Sequence, residues 1–264
     1  MIAQRVPKAR LGATEIVIVL GLLNLLFLAF VLVQLRYLFG GRDLVEQRAQ
    51  LTYSAYARHG FFELVVACAL ALPVLLLADW ALRRERRRHD VLFRILAGTL
   101  VALLFVVMAS ALQRLHLYEQ AYGLTQLRLY ATGLVLWLAA VLVWFVVTVL
   151  RGQRRLFAVG AVVAGFAATI ALNVLDPDAL IARTNLERPR ADVHYLATLS
   201  DDAVPTLLRR LPTLSPPVRR ELARSLLRRS TKPVDWRSWT LARQDARRLL
   251  ASHATELRTL ARSR

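Results

Sequence analysis

Five long apolar runs dominate the first two thirds of the chain: Glu15 to Leu35, Phe61 to Leu82, Val91 to Leu112, Tyr130 to Leu150 and Leu156 to Leu175. A helix needs about 20 residues to cross the roughly 30 Å hydrocarbon layer, and each run meets or nearly meets that length. An amphipathic soluble helix would place polar residues at a period near 3.6. Ile16 to Val33 instead holds only Gly21 and Asn24 as interruptions. The pattern predicts an all-α polytopic membrane protein with five transmembrane helices. The first run is too long for a signal-peptide core, and Gln34 to Tyr37 provide no small-residue cleavage site, so it reads as a retained anchor.

The pattern changes at Asp176. Beyond it, short amphipathic stripes replace the apolar runs. Val204, Leu207, Leu208 and Leu211 share a face, as do Val218, Leu222 and Leu226, and Ala246, Leu249, Leu250, His253, Leu257 and Leu260 form a longer stripe. Candidate caps precede the stripes: Asp176 before Pro177, Asp202 before Pro205, Ser215 before Pro216, and Asp235 before Trp236. The chain therefore divides into a five-span transmembrane domain, residues 1–175, and a basic helical domain, residues 176–264, soluble or resting on the membrane surface. Stacked helix pairs are one shape for it, although no repeat period is visible.

Charge gives the spans a direction. The net charge is +18, with only Lys8 and Lys232 as lysines, so the excess is almost all arginine. Compositional bias is the plainer account of that choice; selection for phosphate-binding forks is the other. The segments before the first span and after the second and fourth hold 11 basic residues, and the opposite connections hold 6. The positive-inside rule then predicts a cytoplasmic N-terminus and an extracytoplasmic C-terminal domain, whose own 18 basic residues do not count because long domains translocate regardless of charge. Tyr37, Tyr53, Tyr56, Tyr118, Tyr122 and Tyr130 all fall in or beside the two outer connections, and only Tyr195 lies elsewhere. In the first of these connections Leu44 to Arg58 could form an interfacial helix. In the second, the third helix should continue to Tyr122, stop at Gly123, and restart after a cap at Thr125.

Within the spans, Pro73 should kink the second helix. Gly160, Ala164, Gly165 and Ala168 on the fifth allow close approach of another helix, within the chain or from a membrane-protein partner, although small residues also recur by chance in alanine-rich chains. The C-terminal domain is the other candidate partner surface, and the lipid bilayer is the general one. Asn24, Gln34 and Asn173 could bond across helices. Asp79 is four residues before Arg83, at ion-pair spacing. A transport pathway would need charges nearer the midplane than Glu15, Glu63, Asp79 or Arg94.

Nucleic acid is not an expected partner despite the charge, because the chain has no zinc-finger spacing, RNA-recognition aromatic motif or clear helix-turn-helix. Trp236 and Trp239 flank Arg237 and fit core packing, an interface anchor or a partner surface. Phosphate-loop, dinucleotide, nucleophile-elbow and zincin motifs are missing, so no catalytic residue and no cofactor are predicted. The one candidate constellation pairs His59 with Glu63 and His116 with Glu119. Each pair shares a helical face on the outer side, and together they could hold a divalent metal, zinc by their nitrogen content. Solvated helix ends are the plainer reading.

Several strings are familiar together: "QLRYLFGG" at Gln34 to Gly41, "RHGFFELV" at Arg58 to Val65, "LYEQAYGLTQLRLYATG" at Leu117 to Gly133, "DPDALIARTNLER" at Asp176 to Arg188 and "DWRSWTLARQDAR" at Asp235 to Arg247. They resemble domain-of-unknown-function family 4173, polytopic bacterial membrane proteins. The resemblance implies an inner-membrane location, no transferable catalytic residues, and further spans before the region at Leu11. The expected function is a non-enzymatic scaffold or accessory component of a membrane or envelope complex. An outer-face metal-dependent enzyme and a transporter subunit are the alternatives.

Overall fold

The structure is a computed structural model and describes residues 12–39, 53–82, 87–188, 191–230 and 239–262. Its described residues form helices and turns with no strand. The apolar runs become α1 (Ala13–Phe39), α2 (Tyr53–Ala81), α3 (Arg87–Tyr122), α4 (Gln126–Thr148) and α5 (Arg154–Leu175). All five are long and apolar enough to cross a membrane. The protein is a multi-pass membrane protein. α2 runs through Pro73, and its start absorbs Tyr53 to Arg58, which therefore form no separate interfacial helix; Leu44 to Thr52 lie outside the described residues. α3 has 36 residues, which at the α-helical rise gives about 54 Å, well beyond a roughly 30 Å apolar layer.

Two compact units divide the chain: Met1–Tyr118 with Ala131–Ala168, and Glu119–Tyr130 with Thr169–Arg264. In the first, Leu20, Leu75, Leu100, Leu104, Leu142 and Phe145 are fully buried at the helix contacts. α4 and α5 meet through Phe145 and Phe157, whose rings sit edge to face with centroids 6.0 Å apart. Trp144 donates to the Leu156 carbonyl at 3.1 Å. A Cβ on Gly160 would come within 1.9 Å of the Trp144 indole nitrogen, so glycine is what allows that ring to lie against α5. Gly160 thus serves the chain's own α4–α5 contact. Val159, Val162, Val163, Phe166 and Ile170 on α5 are exposed, as lipid-facing residues should be.

Polar groups in this unit are few and specific. Asn24 donates across helices to the Leu96 carbonyl at 3.0 Å as well as to Leu20 at 2.7 Å in its own helix. Asn173, in the part of α5 that belongs to the second unit, bonds back to Thr169 within its own helix, the cheapest way for a polar side chain at a membrane helix end to satisfy its donor. Asp79, only 3% exposed, pairs with Arg154, whose Nε lies 2.6 Å from Oδ2. The same guanidinium donates to Oδ1 at 3.1 Å and to the Asp79 carbonyl at 2.8 Å. The local spacing had pointed to Arg83, which lies outside the described residues; the partner seen is 75 residues away because α2 ends where α5 begins.

The second unit has its own core. α6 (Pro177–Leu186), α7 (Val193–Leu196), α8 (Val204–Arg210), α9 (Pro216–Ser230), α10 (Leu241–Ser252) and α11 (Ala254–Arg262) enclose Ile181, Leu196, Leu207, Leu222, Leu250 and Leu257. Each predicted stripe faces inward. The caps fare differently. Asp176 occupies the N-cap of α6 in the left-handed conformation, with φ 49°, and makes no side-chain cap bond. Asp202 lies inside a short 3-10 turn, Asp201–Ala203, that runs directly into α8, so it caps nothing. Asp235 and Trp236 lie outside the described residues, and α10 is capped by Thr240, whose hydroxyl accepts from the Arg243 N–H at 3.2 Å. Trp239 is exposed, against the core-packing reading. The long C-terminal stripe breaks at His253 into two helices.

Removing either partner of Asp79–Arg154 leaves a poorly hydrated charge at a helix end. With Arg154 41% exposed, solvent screening should hold the loss to about 1–3 kcal/mol, below the cost of breaking a fully buried pair. In detergent, Asp79→Ala and Arg154→Ala should each lower the unfolding temperature, and the double variant should lose less than their sum; additive losses would mean the pair is not coupled.

Candidate functional site

The richest polar site surrounds the connection between α3 and α4. α3 ends at Tyr122, and Gly123 turns the chain with φ 83° while its N–H bonds the Glu119 carbonyl at 2.8 Å. A left-handed residue here suits glycine, and a Cβ would also stand 2.7 Å from Oδ1 of Asn185. The last carbonyls of a helix have no partner within it. Arg188 supplies one: Nη1 donates to Glu119 O at 2.8 Å, and Nη2 to Gln120 O at 2.8 Å and Ala121 O at 3.0 Å. A planar cation at the negative end of a long helix satisfies both the hydrogen bonds and the helix dipole.

Asn185, one turn earlier on α6, holds the next residue. Its Nδ2 donates to the Leu124 carbonyl at 2.7 Å and its Oδ1 accepts from the Leu124 N–H at 2.8 Å. The side-chain amide thus pairs with a backbone residue as a neighbouring strand would, and both residues are buried. The start of α4 is held as well. The Gln126 N–H donates to the Tyr195 hydroxyl at 3.0 Å, and Gln126 Nε2 donates to Oδ1 of buried Asp178 at 2.7 Å. The other Asp178 oxygen accepts from the Ser200 N–H at 2.7 Å. Arg128 closes the turn by donating to the Gly123 carbonyl. Both helix ends at this connection therefore find partners in residues 178–200.

Electrostatics sharpen the picture around Asp178. Burial, and then the Asp202 carboxylate, raise the pKa of Asp176 above the ordinary carboxylate value; the nearby Ala179 N–H offsets part of this without a cap bond, and Asp178 adds to the rise. Burial likewise raises Tyr195, against the stabilising N–H of Gln126. A second feature is a cleft of about 500 Å³ lined by Ser200, Asp201, Arg229, Arg243 and Arg247, among others. Asp201 engages Arg243 at 2.9 Å and Arg229 at 3.7 Å, and Arg229 also donates to the carbonyls of Ser200 and Leu199. Those arginines are committed to holding α9 and α10 against the 3-10 turn.

The residues expected to bind metal are distributed along two helices. His59 and Glu63 are on α2, and His116 and Glu119 are one turn apart on α3. Glu63 and His116 are exposed, and the side chain of His59 lies outside the described residues. Among the described residues no three His, Cys, Asp or Glu side chains are grouped to hold a metal ion. Sequence reasoning missed Asn185, Arg188, Asp178 and Tyr195. One signal was available: the strings at Leu117 to Gly133 and Asp176 to Arg188, singled out separately, are the two sides of this contact.

Fold and site together define an all-helical multi-pass membrane protein whose C-terminal helical module is built onto the connection between its third and fourth spans. Residues 2–210 match the family described as Domain of unknown function (DUF4153), and the chain belongs to that family. This overturns the likeness to family 4173. The match takes in all five spans and both sides of the α3–α4 contact, and it ends before α9. No curated protein and no solved structure matches the chain.

Asn185→Ala should orphan the buried Leu124 N–H and cost about 1–3 kcal/mol, read as earlier proteolysis within residues 176–264 than in the wild type. Asp176 gives a pH signature. A carboxyl whose folded pKa is raised favours folding in its protonated form, so its unfavourable contribution is full above the folded pKa and fades as pH falls toward the ordinary value near 3.9. Asp176→Asn should therefore be more stable than wild type at neutral pH, with the difference shrinking on acidification in thermal melts; a difference that widens would contradict the assignment.

Proposed function

We propose that this protein is a non-enzymatic scaffold or accessory component of a membrane or envelope complex, with its N-terminus cytoplasmic and its helical module outside. The observation that carries the reading is the grip of Asn185 and Arg188 on residues 119–124. It builds the connection between the third and fourth spans into the module itself. Asn185 and Arg188 give their side-chain bonds there to backbone partners.

Two contacts support the relative sidedness. Asp79 with Arg154 brings the end of the second span to the start of the fifth, which supports one side for both helix ends. Glu119–Tyr130 folds with the segment after the fifth span, which gives the other side to the module. The positive-inside rule then supports the first side as cytoplasmic.

An impermeant maleimide distinguishes the orientations in the full-length chain. With Thr255→Cys in a Cys68→Ala background, labelling of intact cells is expected; labelling only after lysis would place the module in the cytoplasm. Purification from native membranes should yield a partner at fixed stoichiometry that is lost on Asn185→Leu while the chain stays in the membrane. The metalloenzyme reading expects instead one zinc per chain, lost on His116→Ala, and that result would replace the scaffold.

A further inference from the structure

The module's charge is unevenly divided. Residues 176–202, which hold the α3–α4 connection, carry three Arg against six Asp or Glu, whereas residues 203–264 carry fifteen Arg or Lys against four acids. Within that basic part, among the described residues beyond the fifth span, the exposed large apolar side chains are Trp239 at 59% and Leu241 at 70%. They adjoin at the start of α10. Leu241 cannot turn inward, because nine residues at 100° each put it about 180° around the helix from buried Leu250. Arg248, seven residues on, returns to within about 20° of the Leu241 direction, and Arg247 beside it is also exposed.

We propose that this end of α10 docks on anionic phospholipid headgroups of the membrane that holds the chain. An exposed indole and leucine, with the Arg248 guanidinium on the leucine's side of the helix 3.9 Å from the Asp245 carboxylate, match the headgroup layer, where the ring and the apolar tip enter the interface and the cation reaches phosphate. Two apolar side chains are too few for the core of a stable protein interface. They suffice for a lipid contact because the module is already tethered to the bilayer by α5, which makes docking an intramolecular step with a high effective concentration. Basic residues near an anionic surface add an attraction that salt screens. The inference does not depend on which side of the membrane the module occupies, or on the scaffold reading.

The test uses the full-length chain with Gln244→Cys and Cys68→Ala, labelled with a polarity-sensitive dye and reconstituted into phosphatidylcholine vesicles with and without phosphatidylglycerol. Docking predicts a blue shift and loss of iodide quenching only with phosphatidylglycerol, reversed by high salt and abolished by Trp239→Ser/Leu241→Ser and by Arg247→Glu/Arg248→Glu. Identical emission in the two lipids overturns the proposal. So does a shift that survives the double serine variant, since the dye would then be buried against protein. All four substituted residues are exposed, so these variants keep the fold, which the melting temperature in detergent checks.

Discussion

Every helix end must find partners for carbonyls or amides that the helix itself cannot satisfy, and in a membrane protein water reaches only some of them. At the C-terminus of α3 that requirement is met by one side chain, Arg188, whose fork takes three successive carbonyls. Much of the second unit follows from it. Arg188 is placed by the end of α6, α6 is packed through Ile181 and Leu186 into the module core, and Asn185 on the same helix secures Leu124, which also joins that core. The module is therefore organised around someone else's helix end, that of a span three elements earlier.

The first unit answers the same requirement differently. Its apolar faces need no polar partners, so its specificity comes from shape: the tryptophan against Gly160, the edge-to-face rings, and a single amide from Asn24 reaching another helix. Among its described residues a strong electrostatic contact lies where Arg154 reaches Asp79. Apart from Asn24, these polar contacts gather at the ends of the helices.

What could be read in the chain follows from what each signal depends on. The spans and the inward faces of α8, α9 and α10 were legible because hydropathy and period are local. The contact of Asp79 with Arg154 was not, because it spans 75 residues and no local spacing marks it. The long stripe from Ala246 to Leu260 gave no sign of its break at His253, since a turn that preserves the buried face leaves the period intact. Tyr195 looked like the one tyrosine away from the outer connections, yet its hydroxyl receives the first N–H of α4. The strings at Leu117 to Gly133 and Asp176 to Arg188 do mark residues that meet, but the family label drawn from the strings was wrong.

The bond between Asn185 and Leu124 joins residues 61 positions apart, with two membrane crossings between them. Neither side can be made ready by the other during synthesis. Leu124 emerges at the turn between α3 and α4, and Asn185 reaches the same side only after α4 and α5 have both crossed. A chain that skips or inverts one of those crossings leaves the two residues on opposite sides of the bilayer, with the α3 carbonyls open and the module core missing Leu124. Completion of the module thus requires that Leu124 and Asn185 end on the same side of the bilayer, as they do when α4 and α5 both cross.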